Sequence, residues 1–194
     1  MKTALTIIIV EQDRDRAMMI VDALKELGEH SIHVIASGTG LARRVAELRP
    51  DLVLIHAGDP SRDAMEELTL AAGPLERPVA MFVDRADQGL TRAAIEAGVS
   101  AYVVDGLRAD RIRPILDAAI ARFHVFQRIR SELAATRAAL EERKLIDRAK
   151  GVLMRAKGLS EEEAYALLRK SAMDQGKKLA ELAQALVTAA DLLK

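Results

Sequence analysis

The chain has 194 residues, equal numbers of basic and acidic side chains (29 each), half of its residues apolar, and no cysteine or tryptophan. Such a composition fits a globular chain with one substantial core or two small ones, built on aliphatic side chains. It excludes disulfides and thiol-ligated metals and fits a reducing cytoplasm. No stretch approaches about 20 consecutive apolar residues and no basic-then-apolar leader opens the chain, so a soluble, cytoplasmic protein without a membrane role is expected.

In chain order, five apolar runs at 6–10, 31–35, 51–55, 78–83 and 101–104 read as strands. Four are almost continuously apolar, the pattern of strands covered on both faces, and this predicts a parallel sheet. Helical spacing is expected near 14–27, 39–48, 62–72 and 88–97, with a fifth helix starting near 110. The alternation predicts an α/β fold, a flavodoxin-like doubly wound sheet of five strands, whose carboxyl ends carry any site. Those ends present Glu11, Gln12, Asp13, His56, Asp59, Val83, Asp84 and Asp105.

From Asp110 to Lys157 there is one proline, Pro114, and no glycine before Gly151. This predicts a continuous helix of about 70 Å. Ile112, Leu116, Ala119, Phe123, Phe126, Ile129, Leu133, Thr136 and Leu140 roughly follow a three-four spacing. They predict a coiled coil with a second subunit, with packing inside one subunit as the alternative.

Further along this helix, Leu145, Ile146, Ala149, Val152, Leu153 and Ala156 form an apolar face. Arg143, Lys150 and Lys157 make one cationic row, and Lys144, Arg148 and Arg155 a second, with Gly151 between them. A glycine inside a helix costs about 1 kcal/mol relative to alanine, so this placement points to close approach of a polyanion to the backbone. An inert solvated face is the competing reading. The carboxyl-terminal segment 127–194 carries 14 Lys or Arg and 10 Asp or Glu, a balance of +4, against −4 for residues 1–126. The anion-binding end is therefore expected at the carboxyl terminus.

Gly158 is expected to stop the long helix. Ser160 and Glu163 form a capping-box pattern, with Ala164, Leu167, Leu168 and Ala172 inward. After Gly176 a third helix over roughly 177–192 turns Leu179, Leu182, Ala183, Leu186 and Ala190 inward.

The series Arg143, Ala149-Lys150-Gly151-Val152-Leu153-Met154, Ser160, Glu163-Ala164-Tyr165, Leu168-Arg169 and Lys178-Leu179 resembles the ANTAR domain over about residues 135–192. That resemblance implies a three-helix RNA-binding module of bacterial transcription antiterminators, which engages hairpins in a leader mRNA so that a terminator fails to form. On it, Lys150, Gly151 and Arg169 are the first RNA-contact candidates, followed by Arg143, Arg148 and Tyr165. Tyr165 is read either as a base-stacking side chain or as a core aromatic.

Residues 3–125 resemble the receiver domain of bacterial response regulators, with departures at each working position. His56 stands four residues before Pro60, where a receiver has its phosphorylatable aspartate; Glu11 and Gln12 stand for the acidic pair, Val83 for the hydroxyl residue and Asp105 for the lysine. The replacements remove the oxygen nucleophile, a hard metal ligand, the hydroxyl and the neutralising cation of phosphoryl transfer. A degenerate receiver without aspartyl phosphorylation follows. Asp13 and Asp59 are read as helix caps or solvated carboxylates more readily than as offset acceptors. His56 is read as a structural imidazole, with nothing nearby to activate it as a phosphohistidine. His30 and His33 fall on a strand with no third metal ligand. The chain lacks a P-loop, a dinucleotide fingerprint and a nucleophile elbow, so no enzyme, metal or cofactor is expected.

Segments 95–107, 113–123 and 142–151 resemble the nitrate-assimilation branch of ANTAR regulators. The resemblance implies a nitrate- or nitrite-sensing partner protein that sequesters the antiterminator and releases it on binding ligand. The expected organisation is a pseudo-receiver at 1–123, a coiled-coil linker helix at 124–140 and an ANTAR domain at 141–194, active as a homodimer. The alternatives are a DNA-binding regulator and an interaction dimer that binds no nucleic acid. A long helix entering the basic face without a turn before a recognition helix speaks against the first.

Overall fold

The isoleucine- and valine-rich runs form β1 (Thr6–Val10), β2 (Ser31–Ile35), β3 (Leu52–His56), β4 (Val79–Val83) and β5 (Ala101–Val104). All neighbours pair in parallel in the order β2-β1-β3-β4-β5. Every residue of β3 and β4 is buried, as continuous apolarity requires of central parallel strands. The computed structural model describes residues 4–36, 40–85, 87–105 and 107–192, and the chain divides into two units, Met1–Arg128 and Ile129–Lys194.

In the first unit, α1 (Arg14–Lys25), α2 (Leu41–Leu48), α3 (Arg62–Ala72), α4 (Gln88–Glu96) and the start of α5 (Ala109–Lys157) cover both faces of the sheet. The predicted start of the second helix at residue 39 lies outside the described residues. One core layer joins Ile8, Val53, Ile55 and Met81 to Leu41, Val45, Met65 and Ala94 from α2, α3 and α4. The other joins Ile7, Ile9, Leu54 and Phe82 to Ile20 and Leu24 of α1 and Ile112, Leu116 and Ala119 of α5.

This second layer corrects the expected coiled-coil seam. Ile112, Leu116 and Ala119 are at most 4% exposed and pack on the sheet, so they have no face left for another subunit. The exposed part of the stripe is Phe126, Ile129, Leu133 and Leu140. Arg122 Nη1 donates to Ser100 O at 3.2 Å and Gln127 Nε2 donates to Leu75 O, which tie α5 to the first unit just before the exposed stripe.

The second unit packs the end of α5 with α6 (Glu161–Asp174) and α7 (Leu179–Leu192) around Ala149, Leu153, Ala164, Leu168, Ala183 and Val187. Gly158 and Gly176 adopt φ of 66° and 62°, left-handed values that end α5 and α6. Ser160 and Glu163 make both halves of the capping box. Ala156, read as inward, is exposed, because α5 ends one residue later and nothing covers its last turn.

Candidate functional site

At the carboxyl edge of the sheet, β1 delivers Glu11 and β3 delivers His56 to one buried point. Glu11 Oε2 lies 2.8 Å from His56 Nδ1 and 3.2 Å from Arg16 Nε. Its other oxygen accepts from the Asp13 backbone N–H at 2.8 Å and from Arg16 Nη2 at 3.5 Å. On the opposite side of the ring, His56 Nε2 lies 3.1 Å from Asp84 Oδ1. The Glu11 and His56 side chains are 1% and 3% exposed, whereas Arg16 and Asp84 close the cluster from its rim at 45% and 58%.

A neutral imidazole has one N–H, so hydrogen bonds from both ring nitrogens to carboxylates require an imidazolium or one protonated carboxyl group. For Arg16, partial burial opposes the charged form, and the hydrogen bond and attraction to Glu11 outweigh it, raising the guanidinium above its ordinary value. Asp13 caps α1; the hydrogen bond from the Arg16 backbone N–H, more than the nearby cations, holds its carboxyl below the usual range.

The expectation that nothing near His56 could activate it is therefore corrected: the Glu11 and Asp84 carboxylates lie within hydrogen-bond distance of its two ring nitrogens. Gln12 and Asp105 are exposed, and Val83 is buried. Asp105 sits at φ 47° with its N–H on Val83 O at 2.9 Å. Asp59 faces Arg85 at 3.8 Å, both highly exposed. Asp84 was read from the sequence only as a strand-end residue, and Arg16 and Gly58 were not singled out. A Cβ on Gly58 would stand 2.8 Å from Asp84 Oδ2, so the glycine leaves the space that lets Asp84 reach the ring. The register could have found Asp84, because His56 pairs with Phe82 and Asp84 lies two residues beyond on the neighbouring strand. A crevice of about 260 Å³ opens beside the cluster, lined by Gln12, Arg16, His56, Asp59 and Pro60 among others.

The second unit arranges its charges differently. Arg143 and Arg169 are exposed, and neither has an ion-pair partner among the described residues. Arg148 is 63% exposed and meets Asp191 at 3.2 Å. Tyr165 is 42% exposed, which corrects the core-aromatic alternative: Ala164 and Leu168 take the inward positions of α6 instead. Gly151 is half-buried, and a Cβ there would meet only Arg155 Nη1 at an ordinary 3.5 Å.

Lys150 differs from the other cations. Its Nζ lies 2.7 Å from Asp147 Oδ1 and 2.7 Å from Glu161 Oε1, and its side chain is 15% exposed. The hydrogen bonds to Asp147 and then to Glu161 raise the ammonium above its ordinary value, and the same bond lowers Asp147. Glu163 is lowered by the Ser160 backbone N–H and hydroxyl.

The first unit is thus a doubly wound five-stranded sheet, and the second packs three helices with Arg143 and Arg169 exposed. Residues 134–187 match the ANTAR domain family. The transcriptional regulatory protein PdtaR of Mycobacterium tuberculosis is 30% identical over 164 residues, 83% of this chain and 80% of that relative. The nitrate regulatory protein of Klebsiella oxytoca is 49% identical over 65 residues, 34% of this chain and 16% of that relative. Among solved structures, the signal receiver domain of a modulated diguanylate cyclase from Desulfovibrio desulfuricans G20 aligns with a TM-score of 0.53 at 22% identity, covering 63% of this chain and 98% of that one. A response regulator from Thermotoga maritima aligns with a TM-score of 0.52 at 16% identity, covering 60% and 97%. The chain belongs to the ANTAR-domain response regulators. Its relatives are regulatory proteins, and among the described residues no helix is long and apolar enough to cross a membrane.

Proposed function

We propose that this chain is an RNA-binding transcription antiterminator whose receiver is a docking module rather than a phosphorylation switch. The observation that carries the RNA reading is Gly151. The chain's own packing gives no reason to omit a side chain there, yet the helix bears the cost of about 1 kcal/mol that a glycine brings. An external ligand that approaches the backbone between cationic rows accounts for it. Phosphates of a folded transcript supply that ligand, Arg143, Arg148 and Arg169 supply charge, and the exposed Tyr165 supplies a ring on which an unpaired base stacks.

The control side of the proposal is supported by His56, which stands in place of a receiver's acceptor aspartate with carboxylates on both ring nitrogens. A partner protein then takes the place of phosphorylation. The similarity over 65 residues to the Klebsiella oxytoca nitrate regulatory protein supports nitrate or nitrite assimilation as the setting, with a nitrate- or nitrite-sensing protein as the partner. The exposed stripe Phe126, Ile129, Leu133 and Leu140 suits either that partner or the second subunit of an active homodimer.

The test is to crosslink the protein to RNA in cells, recover it and sequence the bound RNA, with Lys150→Glu as control. Enrichment of leader hairpins is expected; recovery without any enriched hairpin overturns the proposal.

A further inference from the structure

On α6, Glu161, Tyr165 and Arg169 follow one another at four-residue spacing, so they form a single line along the helix surface. On α5, Arg143, Asp147 and Lys150 form a second line by the same spacing rule. The two lines meet where Lys150 Nζ bridges Asp147 and Glu161 at 2.7 Å each. Glu161 is the first residue of α6, immediately after the Ser160 cap, so the bridge fixes the point at which α6 leaves the turn.

Resting on the RNA reading above, we propose that Lys150 is a positioning residue and not a phosphate contact: it sets the orientation in which α6 presents Tyr165 and Arg169 to the transcript. Its exposure is a fraction of that of Arg148, 15% against 63%. A phosphate drawn to Lys150 would also face the two carboxylates that already hold it, and these are 54% and 68% exposed. Repulsion from that pair makes Lys150 a poor landing point for an anion. Arg143 and Arg169 hold no ion pair among the described residues, with Asp147 close enough to Arg143 to feel its charge but engaged by Lys150, and they make the contacts.

The experiment uses the full chain and a hairpin RNA pool with randomised loops, with affinity measured across a salt series. Lys150→Met weakens binding by about tenfold and leaves the slope of log affinity against log salt unchanged, because no phosphate contact is lost. In an Asp147→Asn background, Lys150→Glu alone is weak, and the swapped pair Lys150→Glu with Glu161→Lys recovers to within about threefold of the background protein. A slope that falls by about 0.7–0.9 in Lys150→Met overturns the proposal, as that is the signature of one vanished phosphate contact. A swapped pair that unfolds thermally like the background protein yet binds no better than Lys150→Glu overturns it as well. Should the swapped pair fail to fold, the slope of Lys150→Met decides alone. Failure of the unaltered chain to bind any of the pool removes the RNA reading itself, whereas intact wild-type binding with a changed slope removes only the positioning role.

Discussion

Two regions of this molecule carry similar charged residues to opposite ends. At the carboxyl edge of the sheet, Glu11, His56, Arg16 and Asp84 satisfy one another around a ring that is 3% exposed. On the ANTAR unit, Arg143 and Arg169 face water without an ion-pair partner among the described residues. Burial decides between the outcomes. A charge removed from water must be paired at once, and pairing consumes its capacity to bind anything else. A charge left in water loses little by waiting for a ligand.

The sharpest way to break this contrast is to disturb the closed cluster. His56→Asp would set a third carboxylate beside Glu11 and Asp84, and removing one partner of a buried pair costs about 3–5 kcal/mol. Urea unfolding is expected to show a loss of that size. Treatment of the unaltered chain with a small-molecule phosphodonor, followed by intact-mass measurement, is expected to give no adduct; a stable gain of one phosphate would sink the inert-receiver reading.

The open face should respond in affinity and not in stability. Arg169→Ala and Arg143→Ala are each expected to reduce the salt slope of RNA binding by about 0.7–0.9. Their unfolding free energies should stay within about 0.5 kcal/mol of wild type, as for surface changes away from special features. Equal slopes for wild type and both variants would place the RNA elsewhere.

Gly151→Ala separates the two kinds of site in a single substitution. It is expected to stabilise the chain by about 0.5–1 kcal/mol, since the added methyl group meets only the end of Arg155. RNA affinity should fall in the same variant, because the methyl group occupies the path to the backbone. Thermal unfolding and filter binding on one preparation check both halves.

The smallest effect concerns acid. Glu163 has a folded-state pKa below its ordinary value, held there by the Ser160 N–H and hydroxyl. Its contribution is therefore present above the usual glutamate range and is lost as pH falls through the depressed folded value. Ser160→Ala should lower the melting temperature at neutral pH and shrink its further fall on acidification. An identical acid-induced fall in both proteins would show that the capping box does not titrate as described.

The sheet was legible because its signal is local. Runs such as Thr6–Val10 and Val79–Val83 declare buried parallel strands without reference to distant residues, and the Ser160–Glu163 cap lies within a single turn. The seam on α5 was misread over Ile112–Ala119 because the same three-four spacing serves a coiled coil and a helix packed on a sheet. Glu11, His56 and Asp84 were found by position, but the cluster they form was not. Asp84 lies 28 residues from His56, and its approach depends on strand register and on the missing Cβ at Gly58. The role of Lys150 was hidden for a related reason: helical spacing places it among cations, and only the fold of α6 brings Glu161 beside it.

Gly58 and Asp84 are coupled positions, because the space one leaves is filled by the other. An aspartate at position 56 would stand beside Glu11 and Asp84, while Arg16 would keep its ion pair with Glu11. A bulkier residue at 58 would first evict Asp84 and leave the imidazole half-held. A change at 58 is therefore felt at the imidazole two residues away, through a side chain that arrives from the end of the neighbouring strand, and positions 58 and 84 are expected to vary together.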